Sequence, residues 1–117
     1  MAEAFEPIEE LDDFHVRLRE QAGVLAYFST QSCNVCKSLK PKIGELIERQ
    51  FPQMSTVYVD CELSPAIAGQ YQVFAVPTIL GFFDGREWLR KGRAVSMAEL
   101  AAELKRPYDL LFDNSGS

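Results

Sequence analysis

The sequence predicts an α/β protein with a central mixed β-sheet that is flanked by helices on both faces. Segments with helical spacing of apolar residues alternate with short, nearly continuous apolar segments, an order typical of strands buried between layers of helices. Near the end of the chain, two strand-like segments are joined by Asp84-Gly85, a dipeptide that favours a tight hairpin turn. A hairpin added to strands that are separated by helices gives a mixed sheet.

The predicted elements follow one another in the order α-β-α-β-α-β-β-α. The first helix spans residues 7–22 and ends before Gly23, and its apolar positions are Leu11, Phe14, His15, Leu18 and Ala22. The other elements are a strand at 24–29, a helix at 34–51, a strand at 55–60, a short helix at 64–72, hairpin strands at 78–83 and 86–91, and a last helix that begins after Ser96.

Prolines and capping residues refine this prediction. Pro41 lies inside the second helix and should kink it, because proline has no N–H and clashes with the preceding turn. Ser96 and Glu99 have the spacing of a capping box, which places the start of the last helix. Pro107 should stop or bend that helix, so that the following residues pack as a last turn.

Length and charge limit the functions that the chain can have. Its 117 residues suit one compact domain, with a core at about 5–106 and a C-terminal tail at 107–117. The sequence has 12 Lys and Arg against 17 Asp and Glu, a formal charge of −5, which argues against nucleic acid or an anionic membrane as a partner. No apolar run has the length of a membrane span. Because the first residues are acidic and unlike a secretory signal, we expect a cytoplasmic location.

The strongest candidate for chemistry is the cysteine pair in SCNVCK, residues 32–37. Cys33 comes a few residues after a buried strand, where the next helix begins, so it faces unpaired N–H groups and the positive end of the helix dipole. Such surroundings lower the pKa of a cysteine from about 8.5 toward neutrality, and Lys37 adds a positive charge nearby. Cys36 lies one turn further on and can close a small disulfide ring. The pair therefore predicts a nucleophilic thiol and a resolving thiol.

Two other interpretations of the pair remain open, namely buried core cysteines and part of a zinc site. Zinc requires four ligands, and only Cys61 and His15 remain as candidates, both on other elements. Cys61 is expected to be a half-buried small residue after the second strand, and His15 is expected to pack on the apolar side of the first helix. Redox chemistry is the favoured interpretation, and no metal site is predicted.

Several motifs resemble the thioredoxin family over about residues 5–106. These motifs are CNVC after the strand VLAYFS, Pro41 five residues beyond Cys36, and the segment AVPTILGFFDGREWLRKG. The last segment is similar to the part of the family in which a cis proline precedes a hairpin and a glycine. A C-x-x-C motif alone is a weak signal, but its combination with the downstream VPT and hairpin is specific.

The resemblance implies a thioredoxin fold and a thiol–disulfide oxidoreductase that works through a Cys33/Cys36 dithiol. It implies no cofactor other than this redox-active disulfide. It further implies that the partners are disulfide-containing proteins and a reductase or thiol that donates electrons. Exchange through a mixed disulfide would leave Cys33 and Cys36 joined.

The resemblance also assigns roles around the pair. Pro77 would follow a cis peptide bond and pack beside Cys33, and Val76 would offer its backbone to an extended substrate. Substrate binding would further involve three residues next to the cysteines, namely Ser32, Asn34 and Val35. Structural roles would fall to Pro41 and Gly92.

The sequence departs from the family at three places around the pair. The usual Trp-Cys-Gly-Pro-Cys is Ser32-Cys33-Asn34-Val35-Cys36 here. The family's buried Asp falls on Tyr27, and its buried Lys falls at about Thr56. A phenol titrates near pH ~10, so Tyr27 is a poor substitute for a carboxylate. These replacements favour an alternative, a thioredoxin-fold interaction module with weak or no redox turnover, whereas the two intact cysteines favour the enzyme.

Overall fold

A computed structural model describes residues 5–112, which are arranged around one five-stranded sheet. The strands are β1 (Glu6–Pro7), β2 (Gly23–Ser29), β3 (Ser55–Asp60), β4 (Thr78–Phe83) and β5 (Arg86–Lys91). The helices are α1 (Leu11–Glu20), α2 (Asn34–Gln50), α3 (Pro65–Gln70) and α4 (Met97–Phe112). The strand order is β1-β3-β2-β4-β5, in which the first three strands are parallel, β4 is antiparallel to β2, and β5 is antiparallel to β4. The predicted mixed sheet is confirmed.

Helices cover both faces of the sheet because its central strands are apolar on both sides. All seven residues of β2 are buried. Since side chains alternate along a strand, Leu25 and Tyr27 join the core formed with α2 and α4. Val24, Ala26 and Phe28 join the opposite core, formed with α1 and α3. The sheet is thus the middle layer of three, and α2 lies on the face that carries Tyr27.

The hairpin has the turn that its sequence predicts. Strands β4 and β5 begin and end at the predicted residues and are joined by Asp84 and Gly85 alone. Both turn residues have positive φ angles, 56° and 79°, as the favoured two-residue hairpin turns require. The Asp84 N–H also donates to the Ala22 carbonyl at 2.7 Å, which ties the turn to the segment before β2.

The predicted first helix is too long at both ends. Glu6–Pro7 form β1, an edge strand parallel to β3, and α1 begins only at Leu11. A two-residue strand has no periodicity to detect, and the predicted element order therefore lacks it. At the other end, α1 finishes at Glu20, Gly23 is already the first residue of β2, and Ala22 is exposed rather than on the apolar face.

The last helix does not stop at Pro107. The sequence predicts that Pro107 stops or bends this helix and that residues 108–112 pack as a last turn. In the structure α4 continues through Pro107 to Phe112, and the rest of the predicted tail at 107–117 lies outside the described residues. Pro107 and Tyr108 are buried, and the Gln53 N–H donates to the Tyr108 hydroxyl at 3.1 Å. This packing offsets the helix hydrogen bond that a proline removes.

The start of α4 agrees with the predicted capping residues. The Glu99 N–H donates to Ser96 Oγ at 3.0 Å, which satisfies one of the free N–H groups in the first turn. The Glu99 carboxylate does not complete a reciprocal box, because it accepts from Lys91 Nζ at 2.9 Å. This ion pair instead joins the first turn of α4 to the end of β5.

We predict that Gly85→Ala lowers the free energy of unfolding by about 1 kcal/mol, because a side chain is disfavoured at a φ of 79°. Urea denaturation measures the change. Gly69→Ala is the matched control, because Gly69 lies in α3 with no atom within 4 Å of an added Cβ. Alanine is favoured there by helix propensity. Equal losses in both variants would contradict a specific role for the turn.

Candidate active site

The predicted cysteine pair lies at the amino end of α2, where the chain leaves the carboxyl end of β2. Cys33 and Cys36 form a disulfide, with their Cα atoms 5.2 Å apart. Cys33 is the N-cap residue of α2 and is half-buried, whereas Cys36 is only 1% exposed. The two sulfurs therefore differ in access, and an attacking group from solvent reaches Cys33 first.

The backbone of α2 stabilises negative charge on the outer sulfur. The Cys36 N–H donates to Cys33 Sγ at 3.1 Å, in the manner of a helix N-cap. The first turn of this 17-residue helix contains no acidic residue, so nothing there opposes the positive end of the helix dipole. When the disulfide is reduced, these groups favour the thiolate of Cys33 over its thiol.

Tyr27 forms a hydrogen bond from the sheet to the backbone of the cysteine pair. Its hydroxyl donates to the Cys36 carbonyl at 2.6 Å, and its side chain is completely buried. Burial raises the pKa of Tyr27 well above its ordinary value, and the nearby Tyr58 raises this pKa further. The phenol is therefore protonated at neutral pH. It acts as a hydrogen-bond donor to the backbone of the resolving cysteine and not as a base.

Further polar groups, which the sequence patterns did not single out, lie on the same face of the sheet. The register pairs Tyr27 with Tyr58, whose hydroxyl lies 3.1 Å from Ser29 Oγ. Lys40 Nζ lies 4.4 Å from the centroid of the Tyr58 ring, a cation–π distance. Strand alternation could have placed Tyr58 beside Tyr27, but the parallel register had to be known first. The side of α2 that faces these strands therefore places a cation over one phenol, that of Tyr58.

The Val76–Pro77 peptide bond is cis, as the resemblance implies. The antiparallel register pairs Phe28 with Thr78, so residues just before β4 lie beside the segment that follows β2 and leads to Cys33. Val76 and Cys33 pack against the same apolar core. The structure thus brings the cis proline and the cysteine pair to one edge of the sheet.

The other residues assigned by the resemblance lie around this edge or within α2. Ser32, Asn34 and Val35 are exposed next to Cys33. Pro41 is an exposed residue inside α2. Gly92 follows β5, and a Cβ added there would lie 4.0 Å from the Pro77 carbonyl oxygen, so this glycine is a neighbour of the cis proline.

The third cysteine and the histidine pack on the opposite face of the sheet from the pair. Cys61 follows β3, is half-buried as predicted, and its N–H donates to the Ser29 carbonyl at 2.9 Å. Burial, followed by the charges of the adjacent acidic residues Asp60 and Glu62, raises the pKa of Cys61 to about 11. His15 packs edge-on against Tyr71, with ring centroids 6.1 Å apart.

Residues 5–112 contain neither a metal-ligand cluster nor a membrane-spanning helix. No three His, Cys, Asp or Glu side chains in this range are grouped so that they could hold a metal ion. In the same range, no helix combines the length and the apolar character that crossing a bilayer requires.

The sequence and fold agree with one family of known proteins. The family model for thioredoxin matches residues 7–106, which include both cysteines, the cis proline and the hairpin. The chain belongs to the thioredoxin family. Its Cys33–Cys36 pair is accordingly the redox-active disulfide of a thiol–disulfide oxidoreductase, and this family uses the disulfide itself as its redox group.

Individual relatives support the same assignment. Thioredoxin-like protein YdfQ of Bacillus subtilis is 36% identical over 84 residues, which are 72% of this chain and 74% of that protein. The bifunctional thioredoxin reductase/thioredoxin of Mycobacterium leprae is 29% identical over 88 residues, 72% of this chain and 19% of that protein. The crystal structure of oxidised mitochondrial thioredoxin 3 from Saccharomyces cerevisiae superposes with a TM-score of 0.73 at 24% identity, covering 86% of this chain and 91% of that one. The thioredoxin fold is confirmed.

We predict that Cys33 of the reduced thioredoxin-family protein reacts with iodoacetamide at pH 7 at least about tenfold faster than Cys36 or Cys61. Cys36 is buried, and the pKa of about 11 keeps Cys61 protonated until the pH approaches that value. Alkylation followed by peptide mass mapping measures the three rates. The rate for Cys61 should rise steadily between pH 8 and about pH 11. Fastest labelling of Cys61 at pH 7 would contradict this assignment of the nucleophile.

We also predict that Tyr27→Phe lowers the free energy of unfolding by about 1 kcal/mol, because it removes the buried hydrogen bond to the Cys36 carbonyl with little change in volume. Tyr58→Phe is the matched control, because the Tyr58 side chain is half-buried and its hydroxyl bonds to Ser29 instead. Denaturation of both oxidised proteins in urea gives the comparison. If Tyr27→Phe lowers the free energy of unfolding no more than Tyr58→Phe does, the hydrogen bond to the Cys36 carbonyl contributes no more to stability than the bond in the control.

Proposed function

We propose that this protein reduces disulfides in other proteins, with Cys33 as the nucleophile and Cys36 as the resolving thiol. The observation that carries this proposal is the position of Cys33 Sγ, which caps α2 and accepts the Cys36 N–H at 3.1 Å. The burial of Cys36 beneath it supports the division of roles. One sulfur is exposed to substrate, and the other is held within reach of the first.

The reaction proceeds in two exchanges. The thiolate of Cys33 attacks one sulfur of the substrate disulfide, so that a Cys33–substrate bond forms, the substrate S–S bond breaks, and one substrate thiolate leaves. The thiolate of Cys36 then attacks Cys33 Sγ and releases the second substrate thiolate, which leaves Cys33 and Cys36 joined. Both leaving thiolates take up protons from solvent. The pair loses two electrons and the substrate gains them.

The proposed substrate surface surrounds Cys33. An extended substrate segment would pair with the backbone of Val76, next to the cis bond at Pro77, where the chain approaches the segment leading to Cys33. The exposed residues Ser32, Asn34 and Val35 would line the other side. Pro41 and Gly92 would serve structure, Gly92 by leaving room beside the Pro77 carbonyl.

Electrons must return to the pair after each cycle, and we propose a reductase or a small thiol as their source. The joining of a thioredoxin to a thioredoxin reductase in the Mycobacterium leprae relative supports a protein donor. A supply of reductant favours a reducing compartment, and we propose the cytoplasm. We propose neither a further cofactor nor a nucleic acid or membrane partner, since the formal charge is −5. One domain, of which the family model matches residues 7–106, would contain the whole site.

One observation favours the alternative of an interaction module with slow turnover. Tyr27 occupies the place beneath Cys36, and its raised pKa prevents it from taking a proton from the resolving thiol at neutral pH. Attack by Cys33 would then be normal while release of the mixed disulfide would lag. Such a protein would hold its partner for longer than a fast reductase does.

We predict that the wild-type protein reduces insulin with dithiothreitol as the electron source, and that Cys33→Ser abolishes this turnover because no nucleophile remains. Cys36→Ser that has been reduced and then freed of dithiothreitol should retain the first exchange and accumulate a covalent adduct with insulin, which mass spectrometry after acid quenching detects; the wild-type protein is treated in the same way for comparison. Cys61→Ser is the control and should keep the wild-type rate, because Cys61 packs on the opposite face of the sheet from the pair and its raised pKa keeps it protonated at neutral pH.

The same experiment separates the two functions. An adduct that also accumulates in the wild-type protein, together with slow turnover, would favour the interaction module. Retention of full turnover in Cys33→Ser would overturn the assignment of the nucleophile.

A further inference from the structure

One phenylalanine is displayed to solvent near the candidate site. The sequence has eight phenylalanines, and Phe74 is 89% exposed whereas Phe112 is half-buried and the other six are buried. An isolated exposed apolar residue is ordinary on a protein surface, so exposure alone assigns no role. The surroundings of Phe74, however, hold its side chain in this exposed position.

The segment before Phe74 is held by an arginine of the neighbouring strand. Arg90 Nη2 donates to the Tyr71 carbonyl at 2.8 Å, and its Nη1 donates to the Gln72 carbonyl at 3.2 Å. The guanidinium is itself fixed by Glu87, which accepts from Arg90 Nε at 2.9 Å and from Nη2 at 3.0 Å. This two-pronged contact fixes the orientation of the peptide groups that lead into Phe74.

The residues on either side of Phe74 are fixed as well. Val73 is buried, and its N–H donates to the Ala68 carbonyl at 2.8 Å. Beyond Phe74, Thr78 Oγ1 donates to the Ala75 carbonyl at 2.6 Å. Val73 fills the position that faces the core, and hydrogen bonds hold the backbone on both sides of Phe74. The Phe74 ring therefore points to solvent and cannot fold into the core.

The place of Phe74 in the chain brings it next to the cis proline, just before β4. Phe74 lies two residues before Val76, which packs against the same core as Cys33 and forms the cis bond with Pro77. On the other side of Cys33, Ser32 and Asn34 are exposed and polar. Val35 is apolar but is 38% exposed. The largest apolar group presented along this edge is therefore the Phe74 ring.

We propose that Phe74 determines substrate specificity by contacting an apolar side chain next to the cysteine of the substrate. The inference rests on the proposed function, because it concerns the same exchange at Cys33. A substrate segment that extends along Val76 places the residue beside its cysteine near Phe74. Burial of that side chain against the ring stabilises the complex from which Cys33 attacks. The preferred substrates are disulfides flanked by leucine-like or aromatic residues in exposed segments.

With a peptide disulfide as substrate, the two exchanges at the cysteine pair are the same as for a protein disulfide. The Cys33 thiolate forms a bond to the peptide sulfur, the peptide disulfide breaks, and one peptide thiolate leaves. Cys36 then displaces the second peptide thiolate, so that two electrons pass from the protein to the peptide. Phe74 touches neither sulfur and acts on the rate through binding.

Two short peptide disulfides test the assignment. Each is a symmetrical dimer joined through one cysteine, and the two differ only in whether the residue after cysteine is leucine or serine. Rates of oxidation of the pre-reduced protein are measured by acid quenching, alkylation and mass spectrometry. We expect the wild-type protein to react about tenfold faster with the leucine peptide, and Phe74→Ser to lower this ratio to about one. Phe74→Leu should restore most of the preference.

Leu110→Ser is the matched control, because Leu110 is 68% exposed but lies in the last turn of α4. That end of α4 packs at the amino end of β2, where a Cβ on Gly23 would lie 3.1 Å from the Phe112 ring, far along the strand from the cysteines. The control should keep the wild-type ratio. An equal fall of the ratio in Leu110→Ser would overturn the role of Phe74, because it would show a general effect of surface polarity.

A small substrate separates failure of this inference from failure of the proposed function. Bis(2-hydroxyethyl) disulfide has no side chain for Phe74 to contact, so wild type and Phe74→Ser should reduce it at the same rate. An equal loss of rate on this substrate and on the leucine peptide would overturn the specificity role. A wild-type protein that reduces the small disulfide but shows no preference between the peptides would also overturn it. Failure of the wild-type protein to reduce any disulfide would overturn the proposed function itself.

Discussion

The site depends on one hydrogen bond between the sheet and the helix that carries the cysteines. Tyr27 in the middle of β2 donates to the carbonyl of Cys36 at 2.6 Å, inside the core. This bond ties the first turn of α2, which contains the resolving cysteine, to the central strand of the sheet. A buried phenol of this kind has no competing water, so the bond is stronger than an exposed one would be. The geometry of redox chemistry here rests on a group that takes no part in it.

The same residue sets the electrostatics of the site. A carboxylate at position 27 could exchange a proton with the resolving thiol, whereas the phenol stays neutral because burial raises its pKa. A positive charge lies elsewhere on this face of the sheet, where Lys40 Nζ is 4.4 Å from the centroid of the Tyr58 ring. The outer sulfur, of Cys33, is thus stabilised as an anion by the start of α2. The inner sulfur, of Cys36, has no carboxylate beside it, because position 27 is a tyrosine. The attack by Cys33 thus depends on the start of α2, and the release of substrate by Cys36 depends on the residue at position 27 of β2.

Much of this architecture could be predicted from the sequence, and the exceptions have physical reasons. The hairpin is local, because Asp84 and Gly85 adopt positive φ angles more readily than most residues, and its strands begin and end as predicted. The β1 strand could not be predicted, because a strand of two residues is too short to show an alternation of apolar and polar side chains. The extension of α4 beyond Pro107 depends on burial of that ring, which is a tertiary effect that local propensity opposes.

The candidate site shows the same division between local and tertiary information. The position of Cys33 at a helix start follows from the order of strand and helix, but the partner of Tyr27 does not. Sequence comparison with the family motif shows only that a carboxylate is missing from position 27. That the phenol reaches the Cys36 carbonyl follows from the packing of α2 on the sheet, and the pairing of Tyr27 with Tyr58 follows from the parallel register. Both are properties of the folded chain.

The protonated state of Cys61 has a consequence for the fidelity of exchange. A mixed disulfide on Cys33 can be attacked by any thiolate in the same molecule, and a third reactive cysteine would divert it into a mispaired, dead-end product. Because burial and its acidic neighbours hold the pKa of Cys61 at about 11, this sulfur is almost never an anion at physiological pH. The mixed disulfide on Cys33 is therefore not attacked by Cys61, and within the same molecule only Cys36 resolves it. A chain with three cysteines can in this way still form one product.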